Sequence, residues 1–202
     1  MKVTISKTVG KLGDCIPSIS LPPTETCRKD APCRVKCYAC KGRYRFTSVK
    51  DSLAENLTAY KENPDFYFGE IDRTLRMVPY RFFRYHVAGD IPDADYLLRM
   101  CRLARKHKTT QFLCFTKKYD LVNQYIQDHQ IPKNLRLVFS IWGNFPVENP
   151  NHFPEAYIQF KSNPTAIPEN AIECPGYCGE CVLSGKNCWN LEKGESVYFH
   201  EH

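Results

Sequence analysis

The chain has 202 residues, 43% hydrophobic and 13% aromatic, enough for one sizeable core and within the usual size of one domain. Met1 to Leu12 holds no apolar run of signal-peptide length, and no stretch reaches the roughly 20 apolar residues of a membrane span; the reading is a soluble, cytoplasmic protein without membrane contact. The formal charge of +6 admits nucleic acid without by itself supporting it. Arg28, Lys29, Arg34, Lys36, Lys41, Arg43 and Arg45 sit among cysteines, where they would offset an anionic thiolate cluster or form a solvated basic loop.

Residues 1–47 read as a cysteine-rich N-terminal segment with Gly and Pro punctuation and a short strand near Lys2 to Ser6. Residues 48–165 read as an α/β core. Ser48 with Asp51 gives a helix start, and Val49, Leu53, Leu57 and Tyr60 share one face of a helix over about 49–62. Pro64 opens a second helix through Phe68, Ile71 and Leu75, stopped by Pro79. The aromatic run 80–87 reads as a strand. Pro92 and Asp93 open a helix to about Lys106, with Leu97, Cys101 and Ala104 on one face. A strand over 110–116, a helix through Leu121, Val122, Tyr125 and Ile126, a strand over 135–141 and a further strand over 156–160 follow. Alternating strands and helices predict an α/β fold with parallel strands. Residues 166–202 form a cysteine-rich C-terminal tail on the same domain.

Eleven cysteines form an odd count in a chain without an export signal, which argues against a disulfide scaffold and for metal-bound thiolates. Cys33, Cys37 and Cys40 can wrap one corner of a cluster and leave one iron open, whereas Cys27 would close the site as a fourth ligand. Cys174, Cys178, Cys181 and Cys188 form a second compact set, which fits either zinc or iron–sulfur. The two C-x2-C pairs, Cys37/Cys40 and Cys178/Cys181, are too far apart for a zinc ribbon, but folding could bring both ends to one shared site. Cys101 and Cys114 read as small core residues.

Phe82 to Asp90 is the third feature. Strand alternation sends Arg84, His86 and Ala88 to one face and Phe83, Tyr85 and Val87 to the other. Gly89 and Asp90 then fall at the carboxyl end of the strand, where parallel sheets place ligands. A turn or capping role for Asp90 and a structural role for His86 are the plainer alternatives. Lys117, Ser140 and Asn144 follow or end the next strands.

The C-x3-C-x2-C spacing of Cys33, Cys37 and Cys40 resembles that of radical SAM enzymes. His86-Val87-Ala88-Gly89-Asp90-Ile91-Pro92, Thr116-Lys117 and Phe139-Ser140-Ile141 resemble that superfamily's strand ends. Leu21-Pro22-Pro23, Thr26-Cys27, Cys37-Tyr38-Ala39, Lys41-Gly42-Arg43, His86 with Gly89-Asp90, Thr116-Lys117 and the Cys-Pro tail look more closely like the phage family named gene product 88, which itself resembles radical SAM proteins. The resemblance implies a partial parallel (β/α)6 barrel of radical SAM type with a cluster near its mouth, working in the host cytoplasm. It implies a 4Fe-4S cluster, one or two per chain, and S-adenosylmethionine (SAM) on the open iron. Tyr38, Gly89, Asp90 and Ser140 would bind the cofactor, Asp90 taking the SAM amino group, while Arg84 and His86 line the pocket. Ala39 stands where the superfamily carries an aromatic. Cys40 stands where the phage family often has no cysteine, which leaves Cys27 or a tail cysteine open as third or fourth ligand.

The leading expectation is therefore a radical-SAM-like enzyme with an unknown substrate and a reductant such as a flavodoxin or ferredoxin. The alternatives are a non-catalytic iron–sulfur protein with a closed cluster, serving electron transfer, redox sensing or host interaction, and a zinc-stabilised nucleic-acid-binding module.

Overall fold

The structure is a computed structural model that describes residues 1–7, 10–143, 145–160, 166–185 and 187–201. The N-terminal segment contributes β1 (Ile5–Ser6), β2 (Ser18–Ile19) and the single helical turn α1 (Pro23–Thr26), then three short 3-10 turns. The middle of the chain forms α2 (Thr47–Glu62), α3 (Pro64–Met77), β3 (Phe82–Tyr85), α4 (Ala94–Lys106), β4 (Gln111–Thr116), α5 (Tyr119–Asp128), β5 (Leu135–Ser140) and β6 (Glu155–Gln159). The tail adds β7 (Ile172–Glu173), the turn α6 (Cys178–Cys181) and β8 (Ser196–His200).

Local chemistry sets the helix starts. Asn63 caps α3 by accepting from the Phe66 amide at 2.9 Å, and Pro64 takes the first helical position, where an amide hydrogen is not needed. Asp93 caps α4 by accepting from the Tyr96 amide at 2.9 Å. Ser48, the residue expected to start α2, lies inside its first turn instead. The 3-10 turn Gly42–Arg45 runs almost directly into that helix, and the Phe46 carbonyl accepts from the Val49 and Lys50 amides.

One eight-stranded sheet has the order β1-β2-β3-β4-β5-β6-β8-β7. Every neighbouring pair is parallel except β1 with β2. The fold is thus mixed α/β around a mostly parallel sheet. Regular strand–helix alternation holds from β3 to β5 and then lapses, because the described residues between β5 and β6 form no helix. Both termini join this sheet: β1 and β2 come from the N-terminal segment, and β7 and β8 from the tail.

The faces of the sheet differ. Phe83, Tyr85, Phe112, Leu137 and Phe139 pack with Leu57, Tyr67, Ile71, Tyr96 and Met100 of the helices. Phe82, Leu113 and Val138, with the opposite strand parity, pack instead against Leu12 and Ile16 of the N-terminal segment and Trp189, Leu191 and Val197 of the tail. Cys101 and Cys114 are buried in the helix-side core, as core packing requires. No helix among the described residues is long and apolar enough to cross a membrane.

Candidate metal centre and cavity

The sheet face turned away from the helices is only partly covered, and a cavity of about 730 Å³ remains there. Strand residues Arg84, Leu113, Phe115 and Ala156 line it, together with Gly89, Asp90, Lys117 and Ser140 at or beyond the carboxyl ends of β3, β4 and β5. The N-terminal segment contributes Cys27, Cys33 and Cys37, and the tail contributes Cys174, Cys178, Cys181 and Cys188. Its volume falls in the range of small-molecule and cofactor sites.

A network of hydrogen bonds fixes the loop that carries Cys27. The Leu21 amide donates to the Ala88 carbonyl at 2.9 Å. Thr26 Oγ1 donates to the Pro22 carbonyl at 2.9 Å and accepts from the Asp90 amide at 3.0 Å. Gly89 sits between these contacts with φ +86, and a Cβ there would stand 2.5 Å from the Leu21 carbonyl oxygen and 2.8 Å from Thr26 Oγ1. Glycine is therefore demanded twice, by backbone conformation and by close approach. Asp90, 4% exposed, accepts at Oδ1 from Thr116 Oγ1 at 2.6 Å and the Ile91 amide at 2.8 Å, and at Oδ2 from the Lys117 amide at 2.8 Å. Burial pushes its carboxyl pKa up against these donors, which favour the ionised form. Its main work in this arrangement is to join the ends of β3 and β4.

Beside it, Lys117 Nζ donates to Ser140 Oγ at 2.6 Å and lies 5.9 Å from the centre of the Trp142 ring. Tyr119 donates its hydroxyl to the Ser140 carbonyl. Lys117 thus reaches the cavity wall as a cation held by a neutral partner.

The thiols form two groups. Burial first, then the charges of Asp90, Cys33 and Cys37, raise the Cys27 thiol pKa to about 12, with Lys117 opposing. Burial likewise raises Cys37, whose thiol neighbours are Cys40 and Cys33. Cys40 is exposed and does not line the cavity. In the tail, burial raises Cys188 to about 12, with Cys174, Cys178 and Cys181 adding to it. Cys178 and Cys181 are raised by the same causes. Such thiols keep their protons at neutral pH unless a metal displaces them. Among the described residues no three His, Cys, Asp or Glu side chains stand close enough to share one metal ion. A single zinc at about 2.3 Å from each thiolate would hold its sulfurs about 3.8 Å apart; an iron–sulfur cluster binds its cysteines on separate irons and so accepts wider spacing.

Arg84 stands near the tail thiols and the Tyr38 and Tyr44 rings. Its guanidinium lies 5.0 Å from the Phe115 ring centre, its charge acts on Cys178 and Cys188 and on the Tyr38 and Tyr44 hydroxyls, and its buried Nε has no partner among the described residues. The alternation expected to carry His86 to the same face stops at Tyr85, where β3 ends. His86 Nε2 meets the Tyr96 hydroxyl of α4 at 2.9 Å, and Val87 packs on the cavity side instead. The His86 ring reaches the cavity floor, but from the helix layer. Its pKa is lowered to about 3 by burial and then by the Arg84 charge, so the ring stays neutral.

Of the residues singled out in the sequence, Cys27, Cys33, Cys37, Tyr38, Arg84, His86, Gly89, Asp90, Ser140 and the four tail cysteines all line this one cavity. Tyr38 is held by donating its hydroxyl to the Val87 carbonyl. Asn144 lies outside the described residues. Sequence reasoning did not assign roles to Thr26 and Thr116, which tie the loop and the two strand ends to Asp90, or to Tyr96, which orients His86. Only the Thr26-Cys27 and Thr116-Lys117 pairs, noted for their resemblance, pointed toward two of these.

A search of curated proteins and of solved structures found no match. A family model described as gene product 88 matches residues 2–163, a span that holds the N-terminal thiols and the Asp90 network and stops short of the four tail cysteines. The chain belongs to the gene product 88 family.

Proposed function

We propose that this protein is an iron–sulfur enzyme of radical-SAM-like type, with its parallel sheet acting as a partial barrel around the cavity and a 4Fe-4S cluster held by Cys27, Cys33 and Cys37. The observation that carries the reading is that these three thiols neighbour one another and line the cavity beside Asp90 and Lys117, while Cys40 is exposed and outside that lining. Thiolate is the donor such clusters require, and three protein ligands leave one iron open. With S-adenosylmethionine at that iron, the cofactor pair would supply the radical chemistry, and Cys27, Cys33 and Cys37 would hold the cluster.

The chain's own residues bind and orient. Asp90 has one acceptor position left after its three donors, available to the SAM amino group. Lys117 and Ser140 offer donors to a carboxylate, and Trp142 and Phe115 offer apolar faces. Arg84 compensates negative charge on the tail thiolates. The tail cysteines hold a second cluster or a zinc ion. A reductant such as a flavodoxin or ferredoxin is required.

A second reading rests on Cys40, which adjoins Cys37: a fourth thiolate would close the cluster and leave an electron-transfer, redox-sensing or host-interaction protein. Anaerobic reconstitution with iron and sulfide, metal analysis, and EPR of the reduced protein with and without SAM separate the cases. A cluster signal that shifts on SAM addition supports the enzyme. An indifferent signal favours the closed cluster. Stoichiometric zinc without iron overturns both and leaves a zinc-stabilised nucleic-acid-binding module.

A further inference from the structure

We infer that the rim of the cavity binds single-stranded nucleic acid, so that the substrate brought to the site is a polynucleotide; this rests on the cavity being the reacting site proposed above.

From Ala31 to Lys50 the chain carries six cations, Arg34, Lys36, Lys41, Arg43, Arg45 and Lys50, and no carboxylate. Lys36 pairs with Glu201 at 3.3 Å. Among the described residues Lys41, Arg43 and Arg45 pair with no carboxylate. Lys41, Arg43 and Arg45 are exposed, and Arg43 and Arg45 lie outside the cavity lining, so balancing buried thiolates does not account for them.

Aromatic rings interleave with these charges. Tyr38 is 53% and Phe46 61% exposed, so both present ring surface to solvent beside the cations. Tyr38 packs edge-on to Tyr44 at 6.1 Å between centroids. The stripe sits on two consecutive 3-10 turns, Tyr38–Cys40 and Gly42–Arg45. Lys36, Tyr38, Lys41 and Tyr44 also line the cavity, so the stripe continues from the outer surface into it. Inside, Trp142 packs edge-on to Phe160 at 4.9 Å, and Phe115 does so with Phe199 at 5.7 Å.

Phosphates need a track of unpaired cations, and unstacked bases need exposed aromatic faces beside it. The rim supplies both in alternation. A duplex would leave the rings without bases to stack on. An acidic protein would use the cations without the concave aromatic wall.

The test is fluorescence anisotropy with labelled oligo-dT and oligo-U of about 20 nucleotides, longer than one usual single-strand site. A duplex of similar length and polyglutamate serve as competitors, and iron content is read on the same reconstituted sample. Binding should weaken steeply between about 50 and 200 mM salt. The triple variant Lys41→Ala/Arg43→Ala/Arg45→Ala should lose at least about tenfold in affinity and flatten the salt slope by about 2. Phe46→Ala should lose about fivefold or more with the slope unchanged. Far-UV circular dichroism confirms that these exposed substitutions leave the fold intact. No binding at low salt, wild-type affinity in the triple variant, or equal competition by polyglutamate would overturn the inference. Binding by a sample that takes up no iron would overturn the enzyme reading instead and leave the binding surface standing.

Discussion

Thr116 donates its hydroxyl to Asp90 at 2.6 Å, and this bond joins the carboxyl ends of β3 and β4 beneath the cavity. Two backbone amides, from Ile91 and Lys117, complete the carboxylate's set of donors. Replacing Asp90 with Ala leaves those buried donors without an acceptor, and hydrogen bonds to a charged group are the stronger kind. The expected loss is about 3 kcal/mol, read as a lower urea midpoint. Thr116→Val, which removes one donor, should cost about 1–2 kcal/mol.

Gly89→Ala should be comparably damaging. A methyl group there would meet the Leu21 carbonyl oxygen at 2.5 Å while φ stays at +86, and a backbone carbonyl cannot swing away as a side-chain tip can. We expect about 2–4 kcal/mol of destabilisation, together with displacement of the Thr26-Cys27 loop. Gly69 of α3 is the matched control, with nothing within 4 Å of its notional Cβ. Gly69→Ala should stabilise by roughly 0.5–1 kcal/mol through helix propensity. Opposite shifts in melting temperature, the larger one downward at Gly89, are expected; similar behaviour at both positions would refute the account of Gly89.

His86 gives a pH prediction. Its folded-state pKa is depressed to about 3, whereas an unfolded histidine titrates near 6.5. The unfolded chain therefore takes up the proton first as pH falls. The stability held by the neutral ring is complete above about pH 6.5, declines below it, and is gone once pH passes the folded value. Between pH 7 and 5 the contribution amounts to about 2 kcal/mol. His86→Gln keeps a polar partner for the Tyr96 hydroxyl and has no proton to gain. Denaturant titrations at both pH values should show a smaller acid loss in the variant, and parallel curves would refute the buried neutral histidine.

The central fold was legible because its signals are local. The repeats of Leu53, Leu57 and Tyr60 and of Phe68, Ile71 and Leu75 mark helix faces that the structure does bury, and Asp93 caps α4 where a helix start was read. The aromatic and β-branched runs at 80–87, 110–116 and 135–141 contain β3, β4 and β5. What escaped was non-local. β2 has two residues and exists through its pairing with β3. β8 lies in a tail read for its cysteines, and it enters the sheet between β6 and β7. His86 left its expected face because alternation is a property of a continuing strand, and β3 stops one residue earlier. Thr26 and Asp90 are 64 positions apart, a contact that no periodicity encodes.

Trp189 explains how the tail stays on the sheet. Its indole Nε1 donates to the Phe83 carbonyl at 3.1 Å, and its ring meets Phe82 edge-on at 5.5 Å. Trp189→Phe keeps most of the apolar contact and loses only the indole's hydrogen bond, because the Phe83 carbonyl still lies in the β3–β4 ladder, at a cost of about 0.5–1.5 kcal/mol. Trp189→Ala adds a cavity and should cost about 3–5 kcal/mol. If the ring anchors the tail, limited proteolysis of the alanine variant should cut first around 174–188 and leave the core of the chain intact. Uniform digestion would mean that the tail and the core unfold together.

The ligand set can be decided by pairing two cysteine substitutions. Cys27 is held by the loop that Thr26, Gly89 and Asp90 fix and lines the cavity, whereas Cys40 is exposed and lies outside the lining. If Cys27, Cys33 and Cys37 hold the cluster, Cys27→Ala should lose most of the iron and sulfide taken up on anaerobic reconstitution, and Cys40→Ala should retain them. If Cys33, Cys37 and Cys40 hold it, the result reverses. Loss in both variants would indicate four thiolates and a closed cluster. The tail thiols separate by the same assay: changing Cys178 and Cys181 together should remove a second portion of metal and spare the first, because the two groups lie on different segments. Neither segment must be rebuilt to read the result, since metal and sulfide are counted per folded chain and circular dichroism reports the fold independently. Iron that survives loss of Cys27 would remove the geometric argument for an open iron facing the cavity.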